Sequence, residues 1–138
     1  MVSSADEVPA VLYMGLPPVN DLPADLLSHL IGAVGPDWVI SDPDQLLVYE
    51  SDAQTGHAMP PQAVVLPSTT AEVALVARAL HRYRVPMIAR GAGTGLSGGA
   101  LPVRGGVVVG TSRMNRILDL DPGNRRALVQ AGVQNTDL

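Results

Sequence analysis

Most of the chemistry the sequence offers lies in one run: Arg90-Gly91-Ala92-Gly93-Thr94-Gly95-Leu96-Ser97-Gly98-Gly99. Five of these residues are glycine. Glycine accepts positive φ and carries no Cβ, so another group can approach the main chain closely. Successive amide N–H groups can then converge on an anion. Thr94 and Ser97 add hydroxyl donors, and Arg90 adds a fixed positive charge. Such a loop holds phosphate oxygens without a titratable partner, so residues 90–99 read as a cradle for the phosphates of a nucleotide. The plain alternative is a glycine-rich hairpin or bulge that binds nothing. The density of glycines with Ser, Thr and Arg around them favours phosphate.

Two familiar loops are tested against this run. Walker A requires Gly-Lys followed by Ser or Thr, and no lysine is present here. The dinucleotide fingerprint matches literally as Gly93-x-Gly95-x-x-Gly98, with the acidic Asp119 further on. That fingerprint must open a helix. Here Pro102, Gly105 and Gly106 follow, then a β-branched run, so the match reads as a decoy.

The elements that must position the loop are legible in part. Ala63-Val64-Val65-Leu66, bounded by prolines, reads as a short buried strand. Thr69 followed by Glu72 is a capping box. Val73, Val76, Ala77 and Leu80 then recur at helical spacing, which predicts a helix ending near Tyr83, before Pro86. Met87-Ile88-Ala89 reads as the strand that feeds the loop, giving one βαβ unit over 63–89. Val107-Val108-Val109 is a third strand. Residues 117–121 and 127–130 are two more, joined by the turn signal Asp121-Pro122-Gly123-Asn124. Upstream, Leu26, Leu27, Leu30 and Ile31 predict a helix over 24–34, with Asp21 as N-cap and Gly35-Pro36 as its stop. Asp42-Pro43-Asp44 opens a short helical turn, 46–49 is a short apolar piece, and 53–61 is loop. The first twenty residues carry Pro9, Pro17 and Pro18 and read as an extended lead-in. Asn135-Thr136-Asp137 looks like the start of a helix, so an element reads as cut off at Leu138. The fold class is α+β.

Composition bounds the function. The chain has 138 residues, 46% of them hydrophobic, enough for one packed domain. It has one Trp, three Tyr and no Phe, so the core is aliphatic. The net charge of −4, with no Lys-rich run, argues against nucleic acid as a partner. The absence of cysteine excludes disulfides, thiolate metal sites and thiol nucleophiles within the chain. No signal peptide or membrane-spanning stretch is visible, so a cytoplasmic protein is expected.

Other candidates are read as plain surface. His29, His57 and His81 are far apart and read as solvated. Asp42, Asp44, Glu50 and Asp52 match no ligand spacing and read as a solvated loop. Arg78, His81, Arg82 and Arg84 form a small basic face, either plain surface or a docking face for a partner subunit. Arg113 and Arg116 could reach a cofactor phosphate or pair with Asp119 or Asp121.

The run from Pro86 to Ala100 strongly resembles the pyrophosphate loop of FAD-linked oxidases of the vanillyl-alcohol oxidase / p-cresol methylhydroxylase (PCMH) superfamily. It is most similar there to the FAD-binding subunit of bacterial glycolate oxidases, with D-lactate dehydrogenases nearby. Val64-Val65-Leu66-Pro67, the helix after it, Arg113-Met114-Asn115-Arg116-Ile117-Leu118 and Val129-Gln130-Ala131-Gly132-Val133 resemble family segments in the same order. The resemblance implies FAD as cofactor. It implies a lead-in with a helix over 1–45, and a partial PCMH-type FAD-binding domain over 46–138 comprising the first subdomain and the start of the second. It assigns cofactor binding to Pro67, Arg90, Gly91, Ala92, Gly93, Thr94, Gly95, Leu96, Ser97, Gly98 and Gly99. Residues 130–132 would approach the cofactor from the second subdomain. No catalytic residue and no metal ligand is assigned. The implied function is the N-terminal FAD-binding portion of a flavin-dependent 2-hydroxy-acid oxidoreductase of glycolate or D-lactate type. The alternative is a non-catalytic FAD- or nucleotide-binding fragment without a substrate domain. Implied partners are the remaining FAD-binding and substrate domains, in cis or in trans, and other glycolate oxidase subunits including an iron–sulfur subunit. Peripheral membrane association would come through such partners.

Overall fold

The structure is a computed structural model, and it describes residues 21–53, 56, 58–102 and 104–138. The lead-in over 1–20 and His57 lie outside the described residues. Helix α1 spans Ala24–Val34 and ends at Gly35, whose φ of 90° only glycine adopts without strain. Its N-cap position is Pro23, with no side-chain cap, so the expected cap at Asp21 is not formed. Proline pre-sets the entry φ and needs no partner for an amide it lacks.

A 3₁₀ turn over Pro36–Trp38 leads into β1 (Val39–Ile40), a two-residue strand with no sequence pattern to announce it. Helix α2 (Pro43–Leu46) is one turn, opened by Asp42, whose Oδ1 accepts the amides of Asp44 and Gln45. The 46–49 piece continues as a 3₁₀ turn.

Strand β2 (Ala63–Val65) is wholly buried, as its β-branched run requires. Helix α3 spans Thr70–Tyr83. Thr69 caps it by accepting the Glu72 amide at 3.1 Å. The return half of the capping box is shifted: the Glu72 carboxylate accepts the amide and hydroxyl of Ser68, at 2.7 and 2.9 Å. These bonds, the Ser68 amide foremost, hold the Glu72 carboxyl below the usual glutamate range, with Arg113 nearby adding to the effect. A carboxyl depressed in the folded state stabilises the fold above its unfolded pKa, about 4.3, and that stabilisation is lost as pH falls through the lower folded value. Glu72→Gln is therefore expected to lose less stability than the parent between pH 7 and pH 3. Urea unfolding at both pH values measures this, and equal losses would refute it.

Strands β3 (Met87–Arg90) and β4 (Val107–Gly110) complete a four-stranded sheet in the order β1-β2-β4-β3. β1 runs antiparallel to β2, whereas β2, β4 and β3 are mutually parallel. The expected βαβ unit is thus real but open: β4 sits between its two strands. On one face Leu26, Leu30 and Val34 of α1 and Val76 and Leu80 of α3 pack on Ala63, Val65, Val107 and Val109. On the other, Leu46 covers Val64 and Val108. Burial on both faces is why β2 and β4 read as continuous rather than alternating apolar runs. Strands β5 (Ile117–Asp121) and β6 (Arg126–Val129) form a separate antiparallel hairpin, with an irregularity between Ile117 and Asp119. Residues Asn135–Asp137 form a short 3₁₀ turn.

Candidate cofactor site

β3 and β4 are parallel neighbours, and this decides what the glycine run can be. A hairpin would make them antiparallel, so the segment after Arg90 must instead travel from the carboxyl end of β3 back to the start of β4. No helix lies between the two strands among the described residues. The dinucleotide fingerprint, which needs one directly after Gly98, is thereby removed.

Three loops leave the carboxyl ends of the parallel strands on the same edge of the sheet: the one containing Pro67, the glycine run, and the one starting at Thr111. That edge is where open parallel sheets bind ligands. It is also cross-tied. The Thr111 amide donates to the Arg90 carbonyl at 3.0 Å, and Arg113 Nη1 donates to the Leu66 carbonyl at 2.7 Å. Pro67 is fully buried, where it shapes the exit from β2.

The run itself is open to solvent. Gly93 and Gly98 adopt φ of 73° and 70°, the left-handed region in which a side chain would be strained. A Cβ on Gly91 or Gly99 would meet no atom within 4 Å. Leu96, at 74% exposure, stands at the tip. Buried Leu101 anchors the far end and donates its amide to the Gly98 carbonyl at 3.1 Å. Among the described residues, no amide of residues 92–100 donates to a protein oxygen, and the Thr94 and Ser97 hydroxyls make no protein hydrogen bond. Backbone donors without protein acceptors, clustered at a carboxyl edge, fit an anion bound by the main chain. FAD presents such an anion in its pyrophosphate.

The floor of the run comes from residues the sequence reading missed. Arg90 turns beneath the loop, donating from Nη1 to the Ser51 carbonyl at 2.8 Å, with its Cζ 5.6 Å from the centre of the Tyr49 ring. Asp52, expected in a solvated loop, is only 6% exposed, and its Oδ2 lies 3.9 Å from where a Cβ on Gly95 would stand. The correction has a physical cause: the 49–52 turn is covered by the glycine run, a contact between residues some forty positions apart. No local pattern marks it.

Neither Arg113 nor Arg116 pairs with Asp119 or Asp121, the ion pairs the sequence allowed. Arg113 packs with Cζ 3.6 Å from the Trp38 ring centre while holding Leu66. Arg116 meets Gln130 Oε1 through its amide at 3.0 Å and its Nε at 3.4 Å. Asp121 instead accepts from Asn124 and lies 3.8 Å from Arg126, an exposed pair of little energetic consequence. Residues 130–132 lie against the loop after β4: the Gly132 amide donates to the Met114 carbonyl at 2.8 Å and Thr111 Oγ1 to the Ala131 carbonyl at 3.3 Å. The His29 ring packs against Tyr83 at a tilt of 58° with ring centres 5.7 Å apart, and His81 is exposed. Among the described residues no group of His, Asp and Glu could hold a metal, and no helix is long and apolar enough to cross a membrane. A groove between α1 and α3, lined by His29, Gly32, Arg78 and Arg82 among others, includes no residue of the glycine run.

Comparison with known proteins agrees with this geometry. The chain is 43% identical over 97 residues to the glycolate oxidase subunit GlcD of Escherichia coli K12, covering 70% of this chain and 19% of that protein. It is 37% identical over 114 residues to GlcD of Bacillus subtilis 168, covering 83% of this chain and 24% of the relative. The chain thus spans a fifth to a quarter of the length of these relatives. The fold matches p-cresol methylhydroxylase with a TM-score of 0.71 at 28% identity, over 86% of this chain and 24% of that one. Residues 61–138 match the family described as FAD binding domain, so the chain belongs to that family, and its cofactor is FAD.

Proposed function

We propose that the chain is the N-terminal FAD-binding portion of a flavin-dependent oxidoreductase acting on a small 2-hydroxy acid such as glycolate or D-lactate. The observation that carries this is the run of amides over 92–100 without protein acceptors, at the carboxyl edge of a parallel sheet. The two GlcD relatives support the substrate class. In this reading residues 46–138 form a partial PCMH-type domain. Backbone amides of residues 91–99, with the Thr94 and Ser97 hydroxyls, hold the pyrophosphate, and Pro67 and Arg90 shape the cradle. When bound, the flavin accepts the hydride from the substrate's C2. This chain's share is to grip and orient the nucleotide. Polypeptide beyond it, together with other subunits including an iron–sulfur protein, would supply the substrate pocket and the electron acceptor. A cytoplasmic location, with any membrane contact made through those subunits, belongs to the same proposal.

Titration of FAD against the 138-residue chain tests the cradle. Saturable quenching of flavin fluorescence, reversed by ADP as a competitor, is expected. An absence of saturation would refute binding by this portion. The substrate class is tested on the full-length polypeptide loaded with FAD. Anaerobic glycolate or D-lactate should bleach its visible flavin absorbance, and a flavin left oxidised by both would refute it. A flavin-binding chain whose full-length form oxidises neither acid is instead a non-catalytic FAD-binding portion.

A further inference from the structure

We infer that Arg90 is a positioning residue of the cradle and not a phosphate ligand, and that the Tyr49–Asp52 turn is the strut on which it rests. The inference builds on FAD binding at residues 91–99 and says how that site holds its shape.

Strand alternation sets the direction. Ile88 packs on the sheet face that carries Leu46 and Tyr49, and Arg90, two residues on, leaves from the same face. Its guanidinium is therefore delivered beneath the loop and not onto its open side. There Nη1 is committed to the Ser51 carbonyl at 2.8 Å, and Cζ lies over the Tyr49 ring, 5.6 Å from its centre. The rest of the group fills the space under Gly93. A Cβ at that position would fall 2.6 Å from Cζ and 3.0 Å from Nε. The loop at Gly93 thus lies directly against the guanidinium, with a φ of 73° that favours glycine. Asp52 sits one step along, under Gly95. A rigid, planar, always-charged fork suits this role, because it fills the space, donates to a fixed carbonyl and stacks on a ring at once.

The arrangement separates two jobs that the sequence run merges. The amides and hydroxyls on the open side grip the anion. The arginine beneath holds those amides in register.

Backbone ¹⁵N relaxation of the chain without ligand, combined with FAD titration over a range of salt concentrations, tests this. The variants are Arg90→Gln, which keeps an N–H donor toward Ser51 but loses the planar charged fork, and Tyr49→Leu, which removes the ring and leaves every charge. Both are expected to lower the order parameters of residues 91–99 from the rigid range of about 0.85 to below about 0.6, leave those of α1 and α3 unchanged, and weaken FAD about tenfold. The salt dependence of FAD binding should keep its slope. Two outcomes would overturn the inference: unchanged order parameters in residues 91–99 in either variant, or a flattened salt dependence in Arg90→Gln, which would make Arg90 a direct phosphate ligand. A parent chain that binds no FAD would refute the function proposed above, while the relaxation measurement would still decide the strut.

Discussion

Gly132→Ala is expected to destabilise the chain by about 3 kcal/mol, a large effect for the addition of one methyl group. A Cβ at this position would stand 2.8 Å from the Thr111 carbonyl carbon and 3.0 Å from the Met114 carbonyl oxygen, and closer still to the Thr111 oxygen. All three are main-chain atoms, and none is free to retreat. The Thr111 amide is bonded to Arg90, the Met114 amide to the Thr111 carbonyl, and the Gly132 amide to Met114. Relief therefore requires the segment after β6 to lift away from the loop after β4, breaking the contact that docks the hairpin against the sheet. The midpoint of urea unfolding measures the loss. Gly32→Ala serves as the matched control: nothing lies within 4 Å of its Cβ, and it is interior to α1. That change should stabilise by about 0.5–1 kcal/mol. An unchanged midpoint for Gly132→Ala would show that the two loops do not meet.

Gly91→Val and Gly99→Val are expected to give the opposite pattern: a fold left intact and a cofactor lost. Neither glycine has a neighbour within 4 Å of its Cβ position, and neither lies in the left-handed region. Stability should therefore stay within about 0.5 kcal/mol of the parent. If the amides grip a pyrophosphate directly, the ligand must come into contact with the main chain, and a branched side chain fills that approach. An affinity loss of about 10- to 100-fold follows, roughly 1.4–2.8 kcal/mol. Fluorescence titration of FAD beside a thermal melt reads both quantities. Unaltered FAD affinity in both variants would show that the cradle does not hold the nucleotide through its backbone.

These two pairs show where sequence reasoning stops. Gly91 and Gly99 could be assigned a role from type and spacing, because crowding a ligand approach is a local property of the run. Gly132 could not, because what forbids its Cβ is a carbonyl some twenty residues away. The same division runs through the fold. The cap at Thr69 and the end of α3 at Tyr83, before Pro86, were legible from residues a few positions apart. The reach of Glu72 to Ser68, one residue beyond its expected partner, was not. Strand β1, two residues long, carries no period to detect, and it exists because it pairs with β2. Asp52 reads as an exposed acid among other acids, and only the loop laid over it makes it buried.

The sequence by itself determined the composition of the cradle: glycines without Cβ, two hydroxyls, one arginine, and the strand that feeds them. Short-range sterics and capping suffice for that, since each depends on a residue and its near neighbours. The tertiary structure decided what faces what. Pairing β4 in parallel between β2 and β3 brings the Pro67 loop, the glycine run and the Thr111 loop to one edge. Strand alternation then sends Arg90 below that edge and leaves the amides above it. Neither outcome is written in any window of the chain, because both are settled by which apolar faces can be buried together.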